Sequence, residues 1–163
     1  MHKINLAEKF SLIKDHWNPR IAGELNGQYL KLVKFQGPFT WHHHENEDEM
    51  FFVVKGRFRM DFREDGSERA EWIEPGEFII VPRGVEHRPF AEEECEVLLF
   101  EPATTLNTGN VEDEFTRKST RANLIRRLHR LHRSVPKAVA LRSGRQDDLS
   151  GFARHNVLGC RSR

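Results

Sequence analysis

The chain has 163 residues, of which 37% are hydrophobic and 12 are Phe, enough for one core with an appendage but not for two cores. Its two cysteines, Cys95 and Cys160, lie far apart in segments of different character, which argues against a disulfide framework and favours a reducing cytosol. No apolar run approaches the ~20 residues of a membrane-spanning helix, and Lys3, Glu8 and Lys9 stand where a signal peptide needs apolar residues. We therefore expect a soluble, cytoplasmic protein with no membrane partner.

Charge divides the chain into two parts, although its formal net charge is only +1. Residues 1–116 carry 13 Lys and Arg against 23 Asp and Glu, a net charge of −10. Residues 117–163 carry 13 against 2, a net charge of +11, and 11 of those 13 are Arg. Such asymmetry is typical of a main domain followed by a tail with a separate role.

The first 19 residues predict a short helical segment. Asn5 is a good N-cap residue and stands three positions before Glu8, so a helix should begin there and run to about Ile13. Asn18-Pro19 then ends the segment.

Residues 20–101 contain about eight short strand signals, separated by turn signals roughly every ten residues. The predicted strands are 21–25, 29–35, a histidine strand after Gly37-Pro38, 50–54, 57–62, 72–73, 78–81 and 95–100. Asn26-Gly27 predicts a type I′ hairpin turn. Residues 78–81 suggest a strand buried on both faces, and the acidic run 92–94 suggests a solvated turn. The pattern predicts an all-β barrel or jelly roll.

Three consecutive histidines between two of these strands are the first candidate for chemistry. In an extended chain His42 and His44 share one face while His43 points the other way. Two imidazoles on one face form a chelate for a metal ion, which a nearby carboxylate can complete. A second segment, 76–87, ends on the lone His87. The alternative interpretation is a surface histidine cluster and a hydrogen-bonded interior histidine.

The two segments together resemble the two motifs of the cupin superfamily. The first motif has Gly37, His42-x-His44, Glu49 and Gly56; the second has Gly76, Pro82-x-Gly84 and His87. Two departures occur: four residues instead of five follow Gly37, and Ala91 replaces an Asn. Neither departure removes a metal ligand. The resemblance covers about residues 20–101 and is closest to the small single-domain bacterial cupins often called mannose-6-phosphate-isomerase-like.

This resemblance implies a single jelly-roll β-barrel with one divalent metal ion, Mn, Fe, Zn, Ni or Cu, inside it. The implied ligands are His42, His44, Glu49 and His87, with Glu49 preferred over its acidic neighbours by its spacing from His44. The implied function is metal-dependent chemistry on a small polar metabolite such as a sugar, sugar acid or other carbonyl compound, of the isomerase, ring-opening or lyase type. The alternatives are a non-catalytic metal- and ligand-binding module and an Fe(II) dioxygenase. No catalytic residue is identified.

The remaining segments complete the predicted organisation. Residues 102–116 are expected to form a strap over the barrel. Residues 117–163 are expected to be a basic extension, helical along an apolar stripe that begins near Leu124 and disordered after Pro136. A solvated extension is commoner than a nucleic-acid-binding one, so we expect no nucleic-acid partner. Because barrel edges are normally covered, we expect a homodimer that shares its N-terminal strands.

Overall fold

A computed structural model describes residues 3–117, which form one short helix and seven strands. The elements are α1 (Leu6–Phe10), β1 (Arg20–Leu25), β2 (Gln28–Pro38), β3 (Glu49–Lys55), β4 (Phe58–Glu64), β5 (Ser67–Ile73), β6 (Phe78–Val81) and β7 (Glu86–Pro102). Asn5 caps α1 by accepting a hydrogen bond from the Glu8 amide. Asn26 and Gly27 both have positive φ, 51° and 76°, which confirms the type I′ turn of the β1–β2 hairpin.

The long strand β7 joins two sheet layers. Its first part, Glu86 to Phe90, pairs with β4, whose other neighbour is β5. Its second part pairs with β2 on one side and β3 on the other, so that the larger layer has the order β1-β2-β7-β3-β6. All these pairs are antiparallel. The all-β class is confirmed, and the predicted barrel is a jelly roll whose described strands do not close into a ring.

The core lies between the two layers because alternate side chains of each strand point inward. Along β7, for example, Ala91, Cys95, Val97 and Leu99 are buried. A second, smaller cluster forms on the outer face, where Phe10 and Ile13 of the N-terminal segment pack on Leu32.

Two predictions about burial and turns are wrong. Strand β6 is not buried on both faces: Phe78 and Ile80 are 59% and 55% exposed, while the alternate residues Ile79 and Val81 face the core. Residues 92–94 are not a turn but part of β7. Ala91 pairs with Gly37 of β2, and Cys95 pairs with Phe35. The β7 segment between these two pairs is longer than the β2 segment opposite it, so the acidic residues bulge outward and remain exposed.

Three boundary predictions also need correction. The histidine segment is not a strand; within it only His42 makes an isolated bridge, to His87. The predicted strand 72–73 is the end of β5, which is longer because its exposed polar residues pair with β4 through the backbone. Among the described residues the strands number seven, not eight.

The tail helix and the disorder predicted after Pro136 lie outside the described residues. Within 3–117 no helix is long and apolar enough to cross a membrane.

Candidate metal centre

The loop between β2 and β3 carries two of the four predicted ligands. The His42 amide donates to the His87 carbonyl at 3.1 Å, and the His87 amide donates to the His42 carbonyl at 2.9 Å, which fixes the loop against the start of β7. Side chains alternate as predicted: His42 and His44 are buried, while the His43 side chain is 30% exposed. The surface-cluster interpretation therefore does not apply to His42 and His44.

The four predicted residues converge inside the protein. One potential ligand atom from each of His42, His44, Glu49 and His87 lies within 4.8 Å of the others, and all four residues are buried. Glu49 Oε2 is 3.0 Å from His44 Nε2 and 3.4 Å from His87 Nε2. These three atoms have no hydrogen-bond partner within residues 3–117. Buried polar atoms normally have partners, so a set of orphaned acceptors pointing at one another is the pattern expected of ligands for a cation.

Backbone carbonyl groups orient two of the imidazoles. His42 Nδ1 lies 3.1 Å from the Thr40 carbonyl oxygen, and His87 Nδ1 lies 2.9 Å from the Val85 carbonyl oxygen. A carbonyl can only accept, so each Nδ1 carries the proton and each Nε2 presents a lone pair. Carbonyl partners of this kind fix the tautomer and the ring orientation of histidines that bind metals.

Electrostatics gives the cluster the charge that a divalent metal needs. Burial, with a contribution from His87, lowers the pKa of His42 to about 3, so this imidazole is neutral at neutral pH. Burial raises the pKa of Glu49, but contacts with Glu101, His44 and His87 outweigh it and hold the pKa well below its ordinary value. Neutral imidazoles with one carboxylate fit a divalent ion of the Mn to Zn series and leave a net charge of about +1.

Two buried charged residues beside Glu49 were not found from the sequence. Lys31 on β2 and Glu101 on β7 each have 1% of the side chain exposed, and Lys31 Nζ is 2.5 Å from Glu101 Oε1. Burial and the neighbouring Glu49 carboxylate raise the pKa of Glu101 well above its ordinary value, against the effect of Lys31. The signal was present in the alternation of inward- and outward-facing residues along each strand.

Residues 103–117 pack against the histidine loop. The Asn110 amide donates to the His43 carbonyl at 3.1 Å, and the His43 amide donates to Asn110 Oδ1 at 2.9 Å. Gly109 approaches so closely that an added Cβ would lie 2.1 Å from the His43 carbonyl oxygen. The segment therefore holds the loop that carries His42 and His44.

A cavity of about 30 Å³ adjoins the cluster. Besides His42 and Glu49, its lining is mostly apolar and aromatic, with Asn107 as the other polar side chain; the remaining residues are Trp17, Pro19, Val33, Phe35, Phe39, Phe51, Pro89 and Leu99. Trp17 stacks on Phe35 with the ring centroids 4.4 Å apart and donates its indole N–H to the Gln36 carbonyl, so this wall is rigid. A cavity of this volume accommodates roughly two water molecules.

Comparison with known proteins places this geometry in a family. Residues 31–101 match the family described as "Cupin domain". The crystal structure of a cupin-2 domain containing protein from Shewanella frigidimarina is 42% identical and superposes with a TM-score of 0.57, over 61% of this chain and 93% of that one.

Two curated relatives match over shorter stretches. The uncharacterized protein YdbB of Bacillus subtilis is 31% identical over 65 residues, which are 40% of this chain and 55% of that protein. Acireductone dioxygenase 1 of Coprinopsis cinerea is 38% identical over 79 residues, which are 46% of this chain and 41% of that protein. This chain therefore spans about half the length of these two relatives.

Proposed function

Because the chain belongs to the cupin superfamily, we propose that it binds one divalent metal ion through His42, His44, Glu49 and His87 and acts on a small carbonyl compound. The observation that carries the proposal is the convergence of four buried ligand atoms, three of which have no other hydrogen-bond partner within residues 3–117. A bound metal ion would supply Lewis acidity that polarises a carbonyl group or stabilises an enediolate.

The chain's own residues would orient the ligands of that ion and limit the access of water to it. The carbonyl groups of Thr40 and Val85 hold two imidazoles with their Nε2 atoms directed inward. The aromatic wall formed by Trp17, Phe35 and Phe39 offers few hydrogen bonds to water, which strengthens electrostatic interactions in the adjoining space.

The lining narrows the class of ligand. A sugar would bury several hydroxyl groups, and each needs a hydrogen-bond partner that an aromatic wall does not offer. A compound with a chelating oxygen pair and an apolar body fits the lining better, because the Asn107 amide already donates to the Phe115 carbonyl and accepts from the Arg117 amide.

A second candidate function is Fe(II)-dependent dioxygenation. Its support is the match to acireductone dioxygenase 1, at 38% identity over 79 residues. The two candidates differ in a measurable way, because dioxygenation consumes O₂ and isomerase or lyase chemistry does not. An oxygen electrode on the Fe(II)-loaded protein with small diketones and enols separates them. Tight binding of such compounds without turnover in any metal form would favour the non-catalytic module.

The test of the metal site uses untagged protein and three variants. We expect wild type to bind about one equivalent of metal by elemental analysis. His44→Ala and His87→Ala should each lose most of it. His43→Ala is the matched control because His43 lies between two proposed ligands and points outward; it should bind like wild type. Wild-type protein that takes up no metal, or equal uptake in all three variants, would refute the proposal.

The homodimer and the cytoplasmic location remain predictions. Besides the N-terminal strands, a second candidate interface is edge strand β6, where a second copy would cover the exposed Phe78 and Ile80.

A further inference from the structure

A buried ion pair lies next to Glu49, one of the four proposed metal ligands. Lys31 and Glu101 each have 1% of the side chain exposed, and 2.5 Å separates Lys31 Nζ from Glu101 Oε1. Among the described residues, the ammonium group has one other acceptor, the Thr105 carbonyl oxygen at 3.3 Å. Both Glu101 oxygens otherwise lack a partner with hydrogen-bond geometry within residues 3–117.

The strand register connects this pair to Glu49. Lys31 on β2 stands opposite Leu99 of β7, so Glu101, two residues further on, is its diagonal neighbour on the inward face. Met50 on β3 stands opposite Phe100, which brings Glu49 beside Glu101 from the other side. Lys31, Glu101 and Glu49 therefore form a row across three adjacent strands, with the cluster at its end.

The energetics of burial indicates that this row has a purpose other than stability. Removing the two charges of an ion pair from water carries a large desolvation cost, and a hydrophobic pair of similar volume is often as stable. Two carboxylates side by side on one sheet face repel each other, and Lys31 offsets this repulsion. Without Glu101, the neighbouring buried carboxylate available to the ammonium group on this face would be Glu49, the proposed ligand.

We propose that the Lys31–Glu101 pair positions Glu49 as a metal ligand. Glu101 keeps the Lys31 ammonium group engaged and lies beside Glu49 across the β3–β7 pair, so that Glu49 Oε2 is left to face His44 and His87. The proposal rests on the proposed metal site. Lys31 and Glu101 are positioning residues, because neither belongs to the set of four ligand atoms.

The experiment measures metal binding rather than activity. Wild type, Glu101→Gln and the double variant Lys31→Met/Glu101→Gln are titrated with Co(II), whose visible d–d absorption reports the ligand geometry, and with Zn(II) against a chelator. We expect Glu101→Gln to weaken binding by about 10- to 100-fold, as is typical when partners of metal ligands are removed, and to change the Co(II) spectrum. The double variant should regain most of the affinity, because it lacks the cation that competes for Glu49.

The control is Asp61→Asn on β4, which also removes a buried carboxylate from a charge pair, but one whose partners are Arg59 and Arg88 and not a proposed metal ligand. It should leave the Co(II) spectrum and affinity unchanged. Thermal unfolding of the metal-free proteins distinguishes the positioning role of Glu101 from a purely structural one. A purely structural role would lower stability without altering the Co(II) spectrum.

The outcomes distinguish this inference from the metal site itself. Wild-type protein that binds no Co(II) or Zn(II) contradicts the proposed function. Wild-type binding with an unchanged spectrum and affinity in Glu101→Gln overturns the positioning role alone. If Glu101→Gln does not fold, Glu101→Asp replaces it in the experiment. The shorter carboxylate of that variant should weaken metal binding at least about threefold. Wild-type affinity in Glu101→Asp would equally overturn the inference.

Discussion

Replacing Gly109 by alanine should separate segment 103–117 from the histidine loop. Gly109 has φ of +49°, and its missing Cβ would stand 2.1 Å from the His43 carbonyl oxygen, 2.9 Å from the His43 carbonyl carbon and 3.3 Å from His44 Cε1. The closest of these atoms belong to backbone, so no side-chain rotation relieves the clash. The chain around residue 109 must therefore move away from the histidine loop.

The cost follows from what this movement breaks. Left-handed backbone costs a non-glycine residue about 1–2 kcal/mol. Separating the segments also removes the two hydrogen bonds between Asn110 and His43, each worth about 0.5–1.5 kcal/mol. We expect Gly109→Ala to lower the free energy of unfolding of the metal-free protein by about 2–5 kcal/mol in total. Metal affinity should fall as well, because the displaced chain lies against the His44 ring.

Urea unfolding measures the stability loss, and chelator competition measures the affinity. Gly66→Ala is the matched control: Gly66 also has positive φ, 76°, but nothing lies within 4 Å of its added Cβ. That variant should show only the backbone cost of about 1–2 kcal/mol and normal metal binding. Equal losses in the two alanine variants would refute the idea that the close approach of Gly109 matters.

Three further predictions concern residues other than the four proposed metal ligands. Burial raises the pKa of Asp61, but hydrogen bonds from its two arginine partners outweigh this and lower it. Asp61→Asn should therefore cost about 1–2 kcal/mol above pH 5, and the difference from wild type should shrink as pH falls below about 4, measured by urea unfolding across pH. Burial raises the pKa of the Cys95 thiol to about 12, so iodoacetamide at pH 8 should alkylate it only after denaturation, as followed by peptide mass mapping; rapid native labelling would contradict this. Light scattering should give wild type twice the chain mass and Phe78→Glu/Ile80→Glu the monomer mass, whereas a dimer that survives both changes has its interface elsewhere.

Those parts of the fold that depend on local spacing could be predicted from the sequence. The turn at Asn26-Gly27 was predictable because only a few residue types adopt two consecutive positive φ angles. The inward direction of His42 and His44 followed from alternation, which holds in extended chain even without a regular strand. The exposure of one face of β6 was not predictable, because an apolar run does not reveal whether both faces of its strand are covered by other elements.

The buried pair behind Glu49 shows where such reasoning stops. In β2, Lys31 is in phase with the core residues Val33 and Phe35, and in β7 Glu101 is in phase with Val97 and Leu99. Alternation alone therefore marks both charges as inward. It does not show that they meet, because their distance depends on the pairing of strands separated by some 70 residues of chain. A buried lysine in phase with a strand's core face indicates a buried acid elsewhere, and the register then identifies which acid it is.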